Sequence, residues 1–171
     1  IVYYRGNELP DDLKPELIAT RHYRVTDFPF VFTNGAMAAH VEVDIETGLV
    51  KILHFWAVED CGRVINPQLV DGQIRGGVVQ GIGGALYEEC VYDADGQMQN
   101  ATMADYLVPM ASEMPEITVA HVETPTKTSV LGAKGAGEAG TGGAPAALMN
   151  AVNNALAPLE CGLWQMPMTP E

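Results

Sequence analysis

The chain has 171 residues, 47% of them hydrophobic, enough for one domain with a buried core. Nine basic residues face 22 acidic ones, a formal charge of −13 with no Lys/Arg cluster to offset it, which excludes nucleic acid and anionic membrane surfaces as partners. Cys61, Cys90 and Cys161 are too widely spaced for a disulfide framework or a zinc site and read as buried thiols of a reducing compartment.

The chain opens on Ile1-Val2-Tyr3-Tyr4 without a Met, as if in mid-strand, which suggests a piece of something larger. No basic region precedes an apolar core there, and no apolar run approaches the ~20 residues that span a bilayer, so a cytoplasmic location and no membrane span are expected. Residues 1–35, with Pro10, Pro15 and Pro29 and the aromatic cluster Tyr23, Phe28, Phe30 and Phe32, show no periodicity and are expected to be irregular. From Met37 the pattern sharpens. AAHVEVDI alternates Ala39, Val41, Val43 and Ile45 with His40, Glu42 and Asp44, ETG supplies a turn, and LVKILHFWAV is rich in β-formers, which together predict a hairpin.

Asn66 followed by Pro67 predicts a helix start, and Val70, Ile74, Val78, Ile82 and Leu86 (or Ala85) follow at helical spacing. This helix carries Gly72, Gly76, Gly77, Gly81, Gly83 and Gly84, each costing roughly 0.5–1 kcal/mol relative to Ala. Such a face is expected to press against another backbone or a bulky ligand. VYDADGQMQN predicts a second hairpin with an Asp-Gly turn, ITVAHVET another strand, and APAALMNAVNNALA an Ala-rich helix with Pro145 near its start. The order predicts an α+β fold: β-hairpins and a mixed sheet packed against a Gly-rich helix and a C-terminal Ala-rich helix, in a single domain or fragment over 1–171.

Between the last strand and the last helix lies KGAGEAG, Lys134 to Gly140, which matches the dinucleotide fingerprint G-x-G-x-x-G. That fingerprint needs a second strand and an acidic residue about 20 positions on. Glu160 falls near the distance, but Pro158, Gly162, Pro167 and Pro170 interrupt the segment around it, so a nucleotide-binding domain ranks third among the functional readings. The glycines still let a backbone approach something closely and present N–H groups at a helix start, an arrangement suited to anions. A carboxylate beside bound anionic groups gains proton affinity from like charge and burial, which suits a general base. Glu138 is the candidate; the alternative for it is an exposed acid favoured by the helix dipole.

Taken together, EVDIETG, EDCGRVINP, DGQIRGGVVQGIGGALYEE, DYLVP, LGAKGAGEAG and MPMTPE resemble, in order, the C-terminal end of the molybdopterin-binding large subunit of the xanthine oxidase family, which includes aldehyde oxidoreductases and aerobic carbon monoxide dehydrogenases. The resemblance implies a molybdenum-dependent hydroxylase that oxidises an aldehyde or N-heterocycle with water as oxygen source. Molybdenum is then held by a pterin cofactor, commonly the cytosine dinucleotide form in bacteria, and by no side chain. By the same resemblance Glu138 is the catalytic base, Gln73 hydrogen-bonds near molybdenum and pterin, and the backbone of Lys134, Gly135, Ala136 and Gly137 packs against the cofactor. Gly76 and Gly77 are expected to press on this loop, and Asp105 and Tyr106 to lie in a loop near the cofactor. The upstream part of the large subunit, an FAD-binding subunit and a [2Fe–2S] subunit are implied as partners in an oligomeric complex, with a small-molecule substrate; this chain alone is expected to be inactive.

The competing reading is a non-catalytic assembly module with the same fold. Ser112 and Ser129 lack the G-x-S-x-G setting of a nucleophile. His22, His40, His54 and His121 are scattered; His40 and His121, at polar strand positions, are expected to be solvated or to pair across strands. Glu59 and Asp60 are expected to cap the strand or pair with Arg63, and the eight Met residues to fill the core.

Overall fold

A computed structural model describes residues 18–22 and 31–170. Most of the irregular 1–35 segment, including Tyr23, Phe28 and Phe30, lies outside the described residues.

The predicted hairpin forms as β1 (Asn34–Val43) and β2 (Val50–Asp60), antiparallel from Asn34↔Asp60 to Val43↔Val50. Its turn is closed by Asp44, whose carboxylate accepts the Glu46 N–H at 2.9 Å, and by Gly48, whose φ of 74° suits glycine. Strict alternation along β2 would put Ile52, His54, Trp56 and Val58 on one face. The pairing instead slips between His40↔His54 and Val41↔Ile52, leaving Leu53 as a β-bulge. The extra residue reverses the phase, so Val50 and Ile52 below it and Phe55, Ala57 and Glu59 above it all face the core.

Asn66 caps α1 (Pro67–Leu86), its side chain accepting the Leu69 N–H at 3.2 Å. The predicted stripe is buried as Ile74, Val78, Ile82 and Ala85. The chain then returns as β3 (Glu116–His121), parallel to β2 with Phe55↔Ile117, Ala57↔Val119 and Glu59↔His121, giving a three-stranded mixed sheet of order β1-β2-β3. The parallel pair with α1 as its crossover is a βαβ unit. The guanidinium of Arg75 donates to the Ile117 carbonyl and His121 Nε2 lies 2.7 Å from the Asp71 carboxylate, so α1 is tied to β3 twice. Among the described residues neither His40, which is exposed, nor His121 bonds across the strands; His54 does, to Thr118 at 2.8 Å.

The second helix, α2 (Ala139–Leu156), lies against β1 and α1. Ala144, Leu148 and Val152 bury one side of it, and Phe55, Ile117 and Met168 complete the core. It begins six residues before Pro145 and not at it, because Thr141 donates its hydroxyl to the Gly77 carbonyl at 3.1 Å and holds the Gly-rich turn helical. Gly140 packs so closely that a Cβ there would collide with the Ile74 carbonyl, and one on Gly77 would come within 2.9 Å of Gly140. Part of the glycine prediction therefore holds, with helix backbone as the close partner. Gly76 is corrected: a Cβ on it meets nothing within 4 Å, since it sits one residue round from the contact line.

Two further expectations change. VYDADGQMQN forms the turn, with Asp93 accepting the Asp95 and Gln97 N–H groups, but only the single bridge Tyr92↔Met98. Its residues are mostly exposed, so no apolar face rewards longer pairing. Of the methionines, Met168 is buried and Met37, Met114, Met149 and Met166 pack around the core, whereas Met103 and Met110 are exposed. No helix among the described residues is long and apolar enough to cross a membrane.

Candidate functional site

At the end of β2 the chain turns through Asp60, Cys61 and Gly62. The Asp60 carboxylate accepts the Gly62 N–H at 2.9 Å, and Gly62, at φ 70°, leaves no room for a Cβ against the Gly132 carbonyl. This turn pairs with the segment leading to the glycine loop. Arg63 N–H donates to Gly132 at 3.0 Å, Lys134 N–H donates to Cys61 at 2.7 Å, and Gly62 bridges Ala133.

Asp60 closes the junction. Besides Gly62 it accepts the Thr124 N–H at 3.1 Å, the Thr124 hydroxyl, and the Lys134 ammonium at 3.1 Å. Lys134 also reaches the Thr124 hydroxyl oxygen at 2.8 Å. Both side chains of the ion pair are about nine-tenths buried, at 9% and 10% exposure. The Thr124 hydroxyl is the largest cause holding the Asp60 carboxyl well below the usual carboxylate range; burial opposes it, and the two N–H groups and Lys134 add to it. Of the two expectations for Asp60, capping holds, since it accepts the Gly62 N–H beyond the strand end, and pairing with Arg63 does not: the turn at Gly62 aims the carboxylate at Thr124 and Lys134, while Arg63 stays exposed.

Beyond Lys134 the pattern of bonding changes. Among the described residues the N–H groups of Gly135, Ala136, Gly137 and Glu138 find no acceptor. Glu138 is the N-cap of α2 with no side-chain cap bond; its carbonyl opens the helix by accepting from Thr141 at 3.1 Å and Gly142 at 3.3 Å, and its carboxylate is exposed. Gln73, exposed on α1, places its amide nitrogen 3.7 Å from where a Cβ on Gly137 would stand. The structure therefore sets Gln73 beside Gly137, next in the chain to Glu138. Lys134 is tied back on Asp60 by its side chain and on Cys61 by its N–H. A row of unclaimed amides at the start of an 18-residue helix, with a side-chain amide beside it, is a donor set for an anionic group.

Asp105 and Tyr106 are not part of this cluster. Tyr106 donates to Glu88 at 2.7 Å, past the C-terminal end of α1, and that bond is the main reason its phenol is pushed up to about 12. Gln73 is 13 residues before Leu86, about 20 Å along the helix axis. Among the described residues no three His, Cys, Asp or Glu side chains gather to hold a metal ion. Cys61 is buried, and burial pushes its thiol up; Cys90 and Cys161 are exposed, contrary to expectation, because they lie in irregular segments outside the packed layers. A cleft of about 450 Å³ lined by Gly35, Met37, Glu59, Gly143 and Asn150 includes neither Gln73 nor the loop 134–138. Sequence reasoning missed Asp60 and Thr124 as part of the loop's support. The Asp-x-Gly turn signal marks Asp60, but nothing local marks Thr124 as its partner.

A family model for the molybdopterin cofactor-binding domain matches residues 4–115. The chain belongs to the molybdopterin cofactor-binding domain family. Nicotine 6-hydroxylase large subunit of Paenarthrobacter nicotinovorans is 44% identical over 170 residues, 99% of this chain and 21% of the relative. Quinoline 2-oxidoreductase of Pseudomonas putida 86 superimposes with a TM-score of 0.78 at 48% identity, covering 81% of this chain and 18% of that one. Carbon monoxide dehydrogenase of Oligotropha carboxidovorans gives 0.81 at 35% identity, covering 96% and 20%. The chain thus spans about a fifth of the length of the relatives it matches, and its three-stranded mixed sheet with two helices is the molybdopterin cofactor-binding fold seen in these structures.

Proposed function

We propose that this chain supplies the cofactor-cradling and base-bearing portion of the large subunit of a molybdenum hydroxylase. The observation that carries the reading is the row of N–H groups from Gly135 to Glu138 that find no acceptor among the described residues, flanked by the Gln73 amide and ending at the exposed Glu138, whose carboxylate makes no cap bond. Gly135, Ala136 and Gly137 present donors to the anionic pterin cofactor, and Gln73 donates beside them. Lys134 contributes through the loop it anchors. Glu138 accepts the proton that water must lose as its oxygen is transferred to substrate. When bound, the pterin-held molybdenum supplies the two-electron oxidation that accompanies hydroxylation.

An N-heteroaromatic substrate is favoured over an aldehyde, because nicotine and quinoline in the relatives' names are both nitrogen heteroaromatics. The words "large subunit" in the first of these names support partner subunits. FAD and [2Fe–2S] carriers on those subunits, and the rest of the large subunit, complete the electron path and the substrate pocket.

In the full-length holo complex, Glu138→Gln keeps the shape of the side chain and removes its basicity. Molybdenum content is expected to stay at the wild-type level while turnover falls by about 10²–10⁴-fold, the usual worth of a positioned base. Turnover at the wild-type rate per molybdenum would remove the base role.

A further inference from the structure

Glu138 stands in a four-residue step between two fixed points. On its far side α2 is seated on α1 by the Gly77–Gly140 contact and by Thr141, whose hydroxyl donates to Gly77 at 3.1 Å. On its near side the last anchored residue is Lys134. Between them Gly135, Ala136 and Gly137 make no hydrogen bond through their N–H groups to the described residues, and a Cβ on Gly135 would meet nothing described within 4 Å. Inside this span the Ala136 carbonyl accepts the Ala139 N–H at 3.4 Å, a turn that joins it to the start of α2, so the position of the Glu138 carboxylate follows from that turn and the two anchors.

The near anchor has a backbone part, the Lys134 N–H on the Cys61 carbonyl, and a side-chain part that depends on one carboxylate. Asp60 receives donors from three separate stretches of chain: Gly62 at its own turn, Thr124 by N–H and hydroxyl after β3, and Lys134 at the start of the loop. Lys134 Nζ bridges Asp60 and Thr124, so removing Asp60 leaves a nearly buried ammonium with one partner. An uncompensated charge there would move toward solvent and take the loop with it.

We propose that Asp60 is a positioning residue for Glu138, acting through the buried Asp60–Lys134 ion pair and Thr124 to fix the near end of the glycine span. This rests on the reading of Glu138 as the base. The ion pair performs no proton transfer; it sets the distance between the Glu138 carboxylate and the proton it accepts, and a displacement of about 1 Å at such a site costs as much as 10²-fold in rate.

The test uses the full-length holo complex with Asp60→Asn, Lys134→Met, the double variant, Thr124→Val and Glu138→Gln, each assayed per molybdenum. Asp60→Asn is expected to lower kcat by ~10- to 100-fold with KM near wild type, because the rest of the subunit shapes the substrate pocket. Lys134→Met should do the same, and the double variant should be no slower than the slower single, since both break one anchor. Thr124→Val, which removes one hydroxyl and no charge, should give a smaller loss in the same direction and carries the test if Asp60→Asn fails to assemble. Hydrogen exchange of peptides covering 133–142 should accelerate in Asp60→Asn, with the β2 and β3 amides unchanged, in complexes with and without cofactor. Wild-type kcat per molybdenum in Asp60→Asn, or losses that multiply in the double variant, would overturn the proposal. If Asp60→Asn is normal while Glu138→Gln is dead, positioning fails and the base reading stands. If Glu138→Gln turns over normally, the base reading fails, and the exchange rates alone decide whether Asp60 holds the loop.

Discussion

Glu59 and Asp60, neighbours at the end of β2, carry opposite signs of pH dependence. Asp60 is held low by the donors around it, so its contribution to stability is present above the ordinary carboxylate range and is lost as pH falls. Glu59 is 3% exposed, folds back over Gly35, and has no hydrogen-bond partner among the described residues. Burial pushes its carboxyl up, with His121, opposite it in the β2–β3 register, opposing to a lesser degree. A raised folded value means that the folded state binds the proton more tightly than the unfolded one. The contribution is therefore complete below the ordinary carboxylate range and is lost as pH rises through the folded value. Glu59→Gln keeps the volume without the charge. In thermal melts of the purified protein the variant is expected to match wild type near about pH 4 and to exceed it by roughly 2–4 °C at neutral pH. A variant that melts lower at neutral pH would show that the ionised carboxylate has a stabilising partner. Neither carboxylate's environment is legible in EDCGRV, because the partners, Thr124 and Lys134 for one and His121 for the other, come from segments more than 60 residues away.

The helices show why element type is easier to read from sequence than its contact surface. Asn66-Pro67 and the four-residue apolar spacing place α1 correctly, since capping and amphipathicity are local. Which of six glycines touches α2 depends on the rotation of one helix against the other. Gly140 leaves no space for a Cβ beside the Ile74 carbonyl, whereas one on Gly84 meets nothing within 4 Å. Gly140→Ala must separate the helix pair and is expected to destabilise by about 1–3 kcal/mol. Gly84→Ala only removes backbone freedom and is expected to be neutral or stabilising by up to about 1 kcal/mol. Denaturant midpoints at unchanged slope would register both, and equal losses at the two positions would contradict the packing. The β-bulge at Leu53 is a similar case. KILHFWAVED alternates too loosely to show where the phase reverses, and only pairing with β1 fixes it.

At the scale of the whole molecule the site is open. Gln73, Gly135, Gly137 and Glu138 are all exposed, and Lys134 and Ala136 are half-buried, so the chain presents one side of a cradle and encloses nothing there. The outer face of the sheet is open too, with Trp56 40% and Val58 38% exposed. The charge of −13 opposes capture of an anionic cofactor by general attraction, so under the proposed function the directed amides are the local source of affinity. A handful of hydrogen bonds from one side must offset the freedom a ligand loses on binding, a cost of at least about 4 kcal/mol. Under the proposed function tight retention then requires contacts from beyond this fifth of the relatives' length. Expressed alone, in cells that load the full-length subunit, the chain is expected to purify folded by circular dichroism and without molybdenum by elemental analysis. The full-length subunit from the same cells should carry it. Stoichiometric molybdenum on the folded chain alone would mean that the Gln73 and Gly135–Glu138 donors suffice, and that the open side of the cradle is not where affinity is gained.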